Sequence, residues 1–173
     1  MALERPKFKP IKKINGLEMR EYDAYQVAVC DVHNVSNLNR AANSGFRYLF
    51  NYISGENLAG QKISMTVPVQ QEPTDNGWKI SFVVPSRFEE KSTPVPTSSR
   101  VVIEQIAAGN FAVLRYRGLW NSKRYEMKKE KLLEKLQQLN LQAIGEVTAA
   151  VYNPPLTPPC FRHNEVMVRV KAK

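Results

Sequence analysis

The amino-acid sequence predicts an α+β fold, in which one continuous and mostly antiparallel sheet carries two helices. Apolar residues recur with the period of a strand or of a helix in the order strand-strand-helix-strand-strand, and this order occurs twice. A connector rich in proline, serine and threonine over residues 85–99 separates the two occurrences, which indicates an internal duplication with a cleft at the seam. The 173 residues suffice for one core, so we expect one domain over residues 1–173 with halves of about 11–85 and 100–171.

The first half is predicted to begin with two strands. Residues 1–10 contain two prolines and alternating charges, and we expect a tail there. Residues 18–22 and 25–32 are predicted strands around the short turn Asp23-Ala24, and the second strand is rich in tyrosine and valine.

An amphipathic helix is predicted from Asn37 to the Ser54-Gly55 pair, where glycine can adopt the left-handed cap conformation. Its apolar positions follow the spacing i, i+3, i+4, i+7 and are Leu38, Ala41, Ala42, Gly45, Phe46, Leu49, Phe50 and Ile53. Strands over residues 63–69 and 78–84 follow, joined by a polar loop over residues 73–77.

The second half repeats this order. Strands are predicted over residues 101–106 and 111–117, and a second helix begins near Ser122, which is a plausible N-cap. The apolar face of that helix consists of Tyr125, Leu132, Leu133, Leu136 and Leu139. Two more strands are expected over residues 147–152 and 165–170.

Composition excludes several classes of protein. The net charge of +9 favours acidic partners but is spread along the chain, so we expect no nucleic-acid binding from charge alone. The N-terminus lacks an apolar signal segment and no apolar run approaches about 18 residues, so we expect a soluble, cytoplasmic protein without a transmembrane segment. Two cysteines without CxxC spacing indicate neither a disulfide framework nor a zinc site.

The segment from Tyr152 to Val166 is the most informative in the chain. Four of the six residues 154–159 are prolines, which excludes both a helix and the interior of a paired strand. Each proline also drives the preceding residue toward extended geometry. We therefore expect a stiff loop between two strands, suited to form one wall of a binding pocket.

Enzyme signatures are absent: the chain has no GxGxxG, GxxxxGK[ST], GxSxG or HExxH motif. His33, His163 and Cys160 are possible metal or heme ligands, but lone residues of these types more often have structural or surface roles. Met19 and Met65 are expected to fill the core. Glu165 is expected either in a local salt bridge or as a carboxylate facing the cleft.

The chain resembles the SOUL heme-binding protein family over roughly residues 10–170. Five linked motifs carry the resemblance: Arg20-Glu21-Tyr22, the segment 45–55 (GFRYLFNYISG), the segment 62–69 (KISMTVPV), the segment 81–85 (SFVVP), and Tyr152-Asn153-Pro154-Pro155 with the segment 162–166 (RHNEV). The resemblance implies a single domain with a twisted, barrel-like sheet of two repeated ββαββ halves flanked by two helices. It also implies kinship in shape with the small-molecule-sensing domains of multidrug regulators.

The resemblance further implies non-covalent, reversible binding of heme or another porphyrin in an apolar cleft, as a carrier or buffer. The implied helix wall consists of Phe46, Leu49, Phe50 and Ile53, and the implied loop wall of Leu156 and Phe161. Arg47 and Arg162 would meet the propionates, and His163 could serve as an axial ligand. The chain departs from the family at Thr157, where animal heme binders carry a basic residue, and at His163, where arginine is usual.

Three other functions remain open at this point. An effector-sensing or interaction domain would use Glu165 to bind planar cationic ligands. An enzyme in the same cleft would use Glu165 and tyrosines as acid–base groups. Nucleic-acid binding is indicated by net charge alone, and a protein partner remains unspecified.

Overall fold

The computed structural model describes residues 2–172, over which the chain forms nine strands, two α-helices and one short 3₁₀ helix. The elements of the first part are β1 (Phe8–Ile14), β2 (Leu17–Tyr22), β3 (Tyr25–His33), α1 (Leu38–Ile53), β4 (Val69–Thr74) and β5 (Gly77–Val83). The second part contains β6 (Val102–Ile106), β7 (Gly109–Tyr116), α2 (Ser122–Gln138), β8 (Leu141–Val151), the 3₁₀ helix Pro159–Phe161 and β9 (Asn164–Ala172).

All nine strands belong to one open sheet with the order β1-β2-β7-β9-β8-β4-β5-β3-β6, and every neighbouring pair is antiparallel. This confirms the predicted α+β class. It also confirms the two ββαββ units, β2-β3-α1-β4-β5 and β6-β7-α2-β8-β9. The order is symmetric about the β4–β8 contact, and each unit's first strand pairs with the other unit: β2 with β7, and β6 with β3.

Both helices cover the same face of the sheet, where the main hydrophobic core lies. Helix α1 packs on β3 and β5, and α2 packs on β7, β8 and β9. The opposite face carries a smaller cluster built around Tyr22, Phe111 and Met167. Side chains alternate between the two faces of a strand. Consecutive residues of β4 and β9 therefore lie alternately in the main core and on the opposite face of the sheet.

Helix α1 lies very close to strand β5 at Gly45. A Cβ atom at this position would lie 2.7 Å from Ile80 Cγ1, so only glycine fits there without a shift of the helix or of β5. The helix begins after Asn37, whose side chain accepts a hydrogen bond from the Arg40 backbone N–H at 3.0 Å.

The prediction of Ser122 as the N-cap of the second helix was wrong. Asn121 caps α2, with its side-chain oxygen 2.9 Å from the Arg124 backbone nitrogen. Ser122 Oγ accepts instead from the Leu38 backbone N–H at 3.0 Å, which joins the N-termini of the two helices. Ser122 therefore links the two helices. No local sequence pattern could indicate this contact between distant segments.

The strand predicted over residues 63–69 was also wrong, because β4 spans Val69–Thr74. Before it, Ile63 donates its backbone N–H to Ile53 and Val67 donates to Glu4, so this segment bonds to a helix end and to the N-terminal segment. Pro73 is tolerated inside β4 because the pairing with β8 covers only residues 69–71, which leaves its nitrogen on an unpaired edge.

Strand β1 was not predicted, and the expected tail over residues 1–10 is correspondingly shorter, because β1 already begins at Phe8. Its register with β2 pairs Phe8 with Tyr22 and Ile14 with Leu17. Its mostly exposed lysines conceal the alternation that a buried strand would show. No helix in residues 2–172 has the length and apolarity needed to cross a membrane.

Candidate functional site

A cavity of about 350 Å³ lies between α1, the segment before and at the start of β4, and the proline-rich loop after β8. Its lining is mainly apolar, with three amide side chains, and consists of Leu3, Ala42, Asn43, Phe46, Phe50, Met65, Val67, Val69, Gln71, Trp120, Val151, Tyr152, Asn153, Pro154 and Pro155. The floor includes residues of β4 and β8, the two strands at the seam between the units. The structure therefore contains a cavity at the predicted seam.

Phe46 and Phe50 form the helix wall. They lie one turn apart, with ring centroids 5.8 Å apart and planes inclined by 13°, so the two rings are nearly parallel and stacked. Their exposed fractions are 40% and 50%, which is high for phenylalanine. Phe46 also meets the edge of Phe82 at 5.2 Å, which anchors the wall to the sheet.

Leu49 and Ile53, predicted on the same wall, face the main core instead. Leu49 is fully buried, and neither residue lines the cavity. Arg47 is exposed and also lies outside the lining, with its guanidinium 5.3 Å from the Tyr48 ring. Helix α1 thus divides its apolar residues between two surfaces.

The proline-rich loop forms the opposite wall through the segment 152–155. Arg162 braces this loop, since its side chain donates to the Thr157 backbone oxygen at 2.8 Å and to that of Pro155 at 2.6 Å. The His163 backbone N–H donates to Asn153 Oδ1. These bonds fix the shape of the loop, as the prolines predict.

Leu156 and Phe161 project from this loop with exposed fractions of 95% and 73%, and neither lines the cavity. Cys160 is exposed in the same loop, whereas Cys30 is buried, where burial raises the pKa of its thiol. His33 is exposed and its Nδ1 lies 3.1 Å from Asn76 Oδ1, in the hairpin between β4 and β5.

Glu165 lies in a buried polar cluster on the face of the sheet that the two helices do not cover. Arg20 binds both carboxylate oxygens of Glu165, at 3.0 Å and 2.8 Å, and a further nitrogen of the same guanidinium lies 2.9 Å from Glu18. The Tyr152 hydroxyl donates to Glu165 at 3.1 Å, and His163 Nε2 lies 2.7 Å from it. Glu165 is therefore in a salt bridge rather than open to a ligand.

The electrostatics of this cluster follow from its burial. Burial alone would raise the pKa of Glu165, but the hydrogen bonds from His163 and Arg20 and the guanidinium charge lower it to about 2. Burial also raises the pKa of Tyr22 to about 12 and that of Tyr152 well above its usual range. Glu165 is thus a fixed anion, and both tyrosines keep their protons at neutral pH.

The charge state of Glu165 constrains His163. A carboxylate only accepts hydrogen bonds, so His163 Nε2 must carry the proton in this contact. Nε2 then has no lone pair for an iron ion while the bond is in place. The His163 ring stacks on Tyr152 with centroids 4.2 Å apart, outside the cavity lining.

The described residues 2–172 contain no group of three or more His, Cys, Asp or Glu side chains that could hold a metal ion. Among the described residues of the cavity lining, Met65 provides a soft ligand atom, its thioether sulfur. The sequence pattern predicts that Met65 lies in the core, and it does not indicate Gln71, Trp120 or Leu3 as site residues. The period-two pattern of β4 could have indicated Gln71, but no sequence signal indicates the other two.

Comparison with known proteins agrees with this architecture. Among solved structures, the chain is similar to the EcmrR C-terminal domain, with a TM-score of 0.66, 10% identity, and coverage of 91% of this chain and 98% of that chain. A hydrolase from Listeria innocua matches with a TM-score of 0.57, 11% identity, and coverage of 90% and 91%. SAV2435 bound to tetraphenylphosphonium matches with a TM-score of 0.52, 11% identity, and coverage of 90% and 93%. At such identities the likeness shows the fold alone.

A search of curated protein sequences returned no match. The family model described as SOUL heme-binding protein matches residues 3–169, nearly the whole chain. The match includes both ββαββ units, the cavity and the proline-rich loop. This protein therefore belongs to the SOUL heme-binding protein family.

Proposed function

We propose that this protein binds heme or a related tetrapyrrole without catalysing its conversion, in the cavity between α1 and the proline-rich loop, as a carrier or buffer. The observation that carries the proposal is the stacked Phe46–Phe50 pair, about half exposed beside a braced loop, within a chain of the SOUL family. A planar macrocycle is the ligand shape that such a surface fits.

The lining residues fit a tetrapyrrole held mainly by apolar contact. A porphyrin face buries a few hundred Å² at about 25 cal/mol per Å², and association entropy offsets much of this gain. Micromolar to submicromolar affinity is then expected without a strong iron ligand, which suits a protein that must release its cargo. Bound heme would supply a Lewis-acidic iron, and Met65 is a lining residue whose thioether sulfur could bind it.

The roles of the remaining predicted residues are part of this proposal. Arg47 is an exposed cation on α1 that would meet a propionate at the cavity mouth. Arg162 acts by holding the loop, since two of its nitrogens are already bonded to loop carbonyls. Leu156 and Phe161 would contact a bound macrocycle only if the loop moved, because both are exposed and neither lines the cavity.

The alternative, binding of a planar cation as an effector, has less support. The fold resemblance to SAV2435 bound to tetraphenylphosphonium motivates it. However, the described part of the chain contributes no Asp or Glu to the lining, and Glu165 is fully buried and paired with Arg20. A cation in this cavity would therefore lack a counter-charge.

Titration of the purified protein with hemin and with protoporphyrin IX, followed by absorbance and by tryptophan fluorescence, tests the proposal. Phe46→Ala removes the 40% of a phenylalanine surface that the ligand would cover, about 80 Å² of about 200 Å². At about 25 cal/mol per Å² this weakens binding by roughly 10- to 30-fold.

Phe161→Ala is the matched control, because it removes the same side chain from an exposed position outside the lining. We expect it to change affinity by less than about threefold. If Phe161→Ala weakens binding as much as Phe46→Ala does, the part of the proline-rich loop that carries Phe161 belongs to the binding site. Absence of saturable binding of either tetrapyrrole to the unmodified protein, with saturable binding of tetraphenylphosphonium, would favour the alternative.

A further inference from the structure

Gln71 is a buried polar residue at the floor of the cavity. It is 1% exposed, and within residues 2–172 its side-chain oxygen has no hydrogen-bond partner. Its backbone pairs with Ile80 of β5 and with Ala149 of β8, so its position at the seam is fixed on both sides. The preceding residue, Gln70, points to the other face and donates to the Tyr25 hydroxyl at 3.0 Å. A buried amide without a partner is costly, so this position needs an explanation.

Trp120 supplies a second unsatisfied group in the same lining. Its indole Nε1–H is buried and lacks an acceptor among the described residues. The Trp120 backbone oxygen accepts from the Asn39 side chain at 3.2 Å, which holds the residue against the first turn of α1. Two residues of the lining therefore carry one acceptor and one donor that are buried and have no partner within residues 2–172.

The rest of the lining indicates which ligand group these atoms would meet. None of the fifteen lining residues within the described range 2–172 is Asp, Glu, Lys, Arg or His. A charged ligand group would lose its hydration there without compensation, so the buried part of the ligand must be neutral. A neutral group that both donates and accepts, such as an amide or lactam, satisfies an acceptor and a donor together.

We propose that Gln71 and Trp120 are the specificity-determining polar contacts of this cavity, and that they select an open-chain tetrapyrrole by binding its terminal lactam ring. Gln71 Oε1 accepts the lactam N–H, and Trp120 Nε1–H donates to the lactam carbonyl. This inference rests on the proposed function and specifies the ligand class of the same cavity.

The chemistry of the two ligand classes explains the selection. In a closed porphyrin, the pyrrole nitrogens point to the ring centre, and the polar groups of the periphery are anionic propionates. A closed macrocycle therefore cannot offer a neutral N–H and C=O at one edge. The terminal ring of an open-chain tetrapyrrole carries both, adjacent to each other, while its propionates can remain at the open mouth of the cavity.

Parallel titrations with biliverdin and with protoporphyrin IX test the inference, followed by absorbance on the unmodified protein, Gln71→Leu and Trp120→Phe. Gln71→Leu keeps the volume and removes the acceptor, and Trp120→Phe keeps an aromatic wall and removes the donor. Each variant should weaken biliverdin binding by about threefold to tenfold, since each loses one neutral hydrogen bond. Protoporphyrin binding should stay within about twofold and so report that the cavity is intact.

The possible outcomes separate the inference from the proposed function. If biliverdin binding falls in both variants while protoporphyrin binding is kept, the assignment stands. If both ligands weaken equally, or neither does, Gln71 and Trp120 are structural and the inference is wrong. If the unmodified protein binds protoporphyrin but not biliverdin, the inference fails while the proposed function survives. If no tetrapyrrole binds, the proposed function itself fails.

Discussion

Removal of one member of the Arg20–Glu165 pair is predicted to destabilise the protein strongly. Glu165→Leu leaves the Arg20 guanidinium 4% exposed, with Glu18 as its one remaining carboxylate partner among the described residues. Removing one partner from a buried pair costs about 3–5 kcal/mol. The pKa of Glu165 gives a similar size: the shift from 4.5 to about 2 corresponds to about 3 kcal/mol, at about 1.4 kcal/mol per pKa unit.

The double variant Arg20→Leu/Glu165→Leu tests the reasoning behind this magnitude. It removes both buried charges together, so we expect it to lose clearly less stability than the sum of the two single variants. It still leaves the Tyr22 and Tyr152 hydroxyls and His163 without partners, so some loss remains.

Urea unfolding of the four proteins, followed by far-ultraviolet circular dichroism, measures these free energies. We expect a coupling energy of about 2–3 kcal/mol between the two positions. The reasoning is wrong if the losses in unfolding free energy of the two single variants sum to that of the double variant within about 0.5 kcal/mol. In that case Arg20 and Glu165 do not act as a buried pair.

Two further predictions concern stability. The pKa of Glu165 in the folded protein, about 2, lies below the ordinary value of 4.5. The stability that the Glu165 carboxylate contributes is therefore fully present above pH 4.5 and is lost as the pH falls toward 2. Urea unfolding between pH 5 and pH 2 should show this loss in the unmodified protein, and a smaller one in the Arg20→Leu/Glu165→Leu variant. Gly45→Ala should destabilise by about 1–3 kcal/mol despite the better helix propensity of alanine, because its Cβ would lie 2.7 Å from Ile80 Cγ1. Arg40→Ala, on the exposed face of the same helix, is the control and should change stability by less than about 0.5 kcal/mol. Equal stability of Gly45→Ala and the unmodified protein would contradict the close approach.

The predicted elements succeeded where local pattern and local packing agree. The period of the apolar residues placed α1 and α2, because each helix buries one side against the sheet. The apolar pattern wrongly predicted a strand at residues 63–69. Their composition is typical of a strand, but their backbone groups bond to Ile53 and Glu4. Strand β1 was missed because its exposed lysines carry no alternation, and its pairing with β2 alone defines it.

The cavity lies between the two predicted walls, but the residues that line it differ from the predicted set. The proline-rich loop and the apolar helix were identified as the two walls, and the cavity lies between them. The periodicity of α1 could not distinguish Phe46 and Phe50, which face the cavity, from Leu49 and Ile53, which face the core, because all four positions lie within one wide apolar arc. Whether these residues bind a tetrapyrrole remains the prediction that the titrations test.

The sequence by itself determined the class of fold, the duplicated order of elements, the stiffness of the loop over residues 154–159 and the family, because each depends on residues close together in the chain or on a linked set of motifs. Only the tertiary structure decided that Glu165 is paired with Arg20, 145 positions away, and that Gln71 and Trp120 line one cavity. Gln71 Oε1 and Trp120 Nε1 have no hydrogen-bond partner among residues 2–172. The physical reason is that a strand sends neighbouring side chains to opposite faces, while the order of strands in the sheet decides what each face meets. That order follows from long-range pairings such as β2 with β7, which no local pattern specifies.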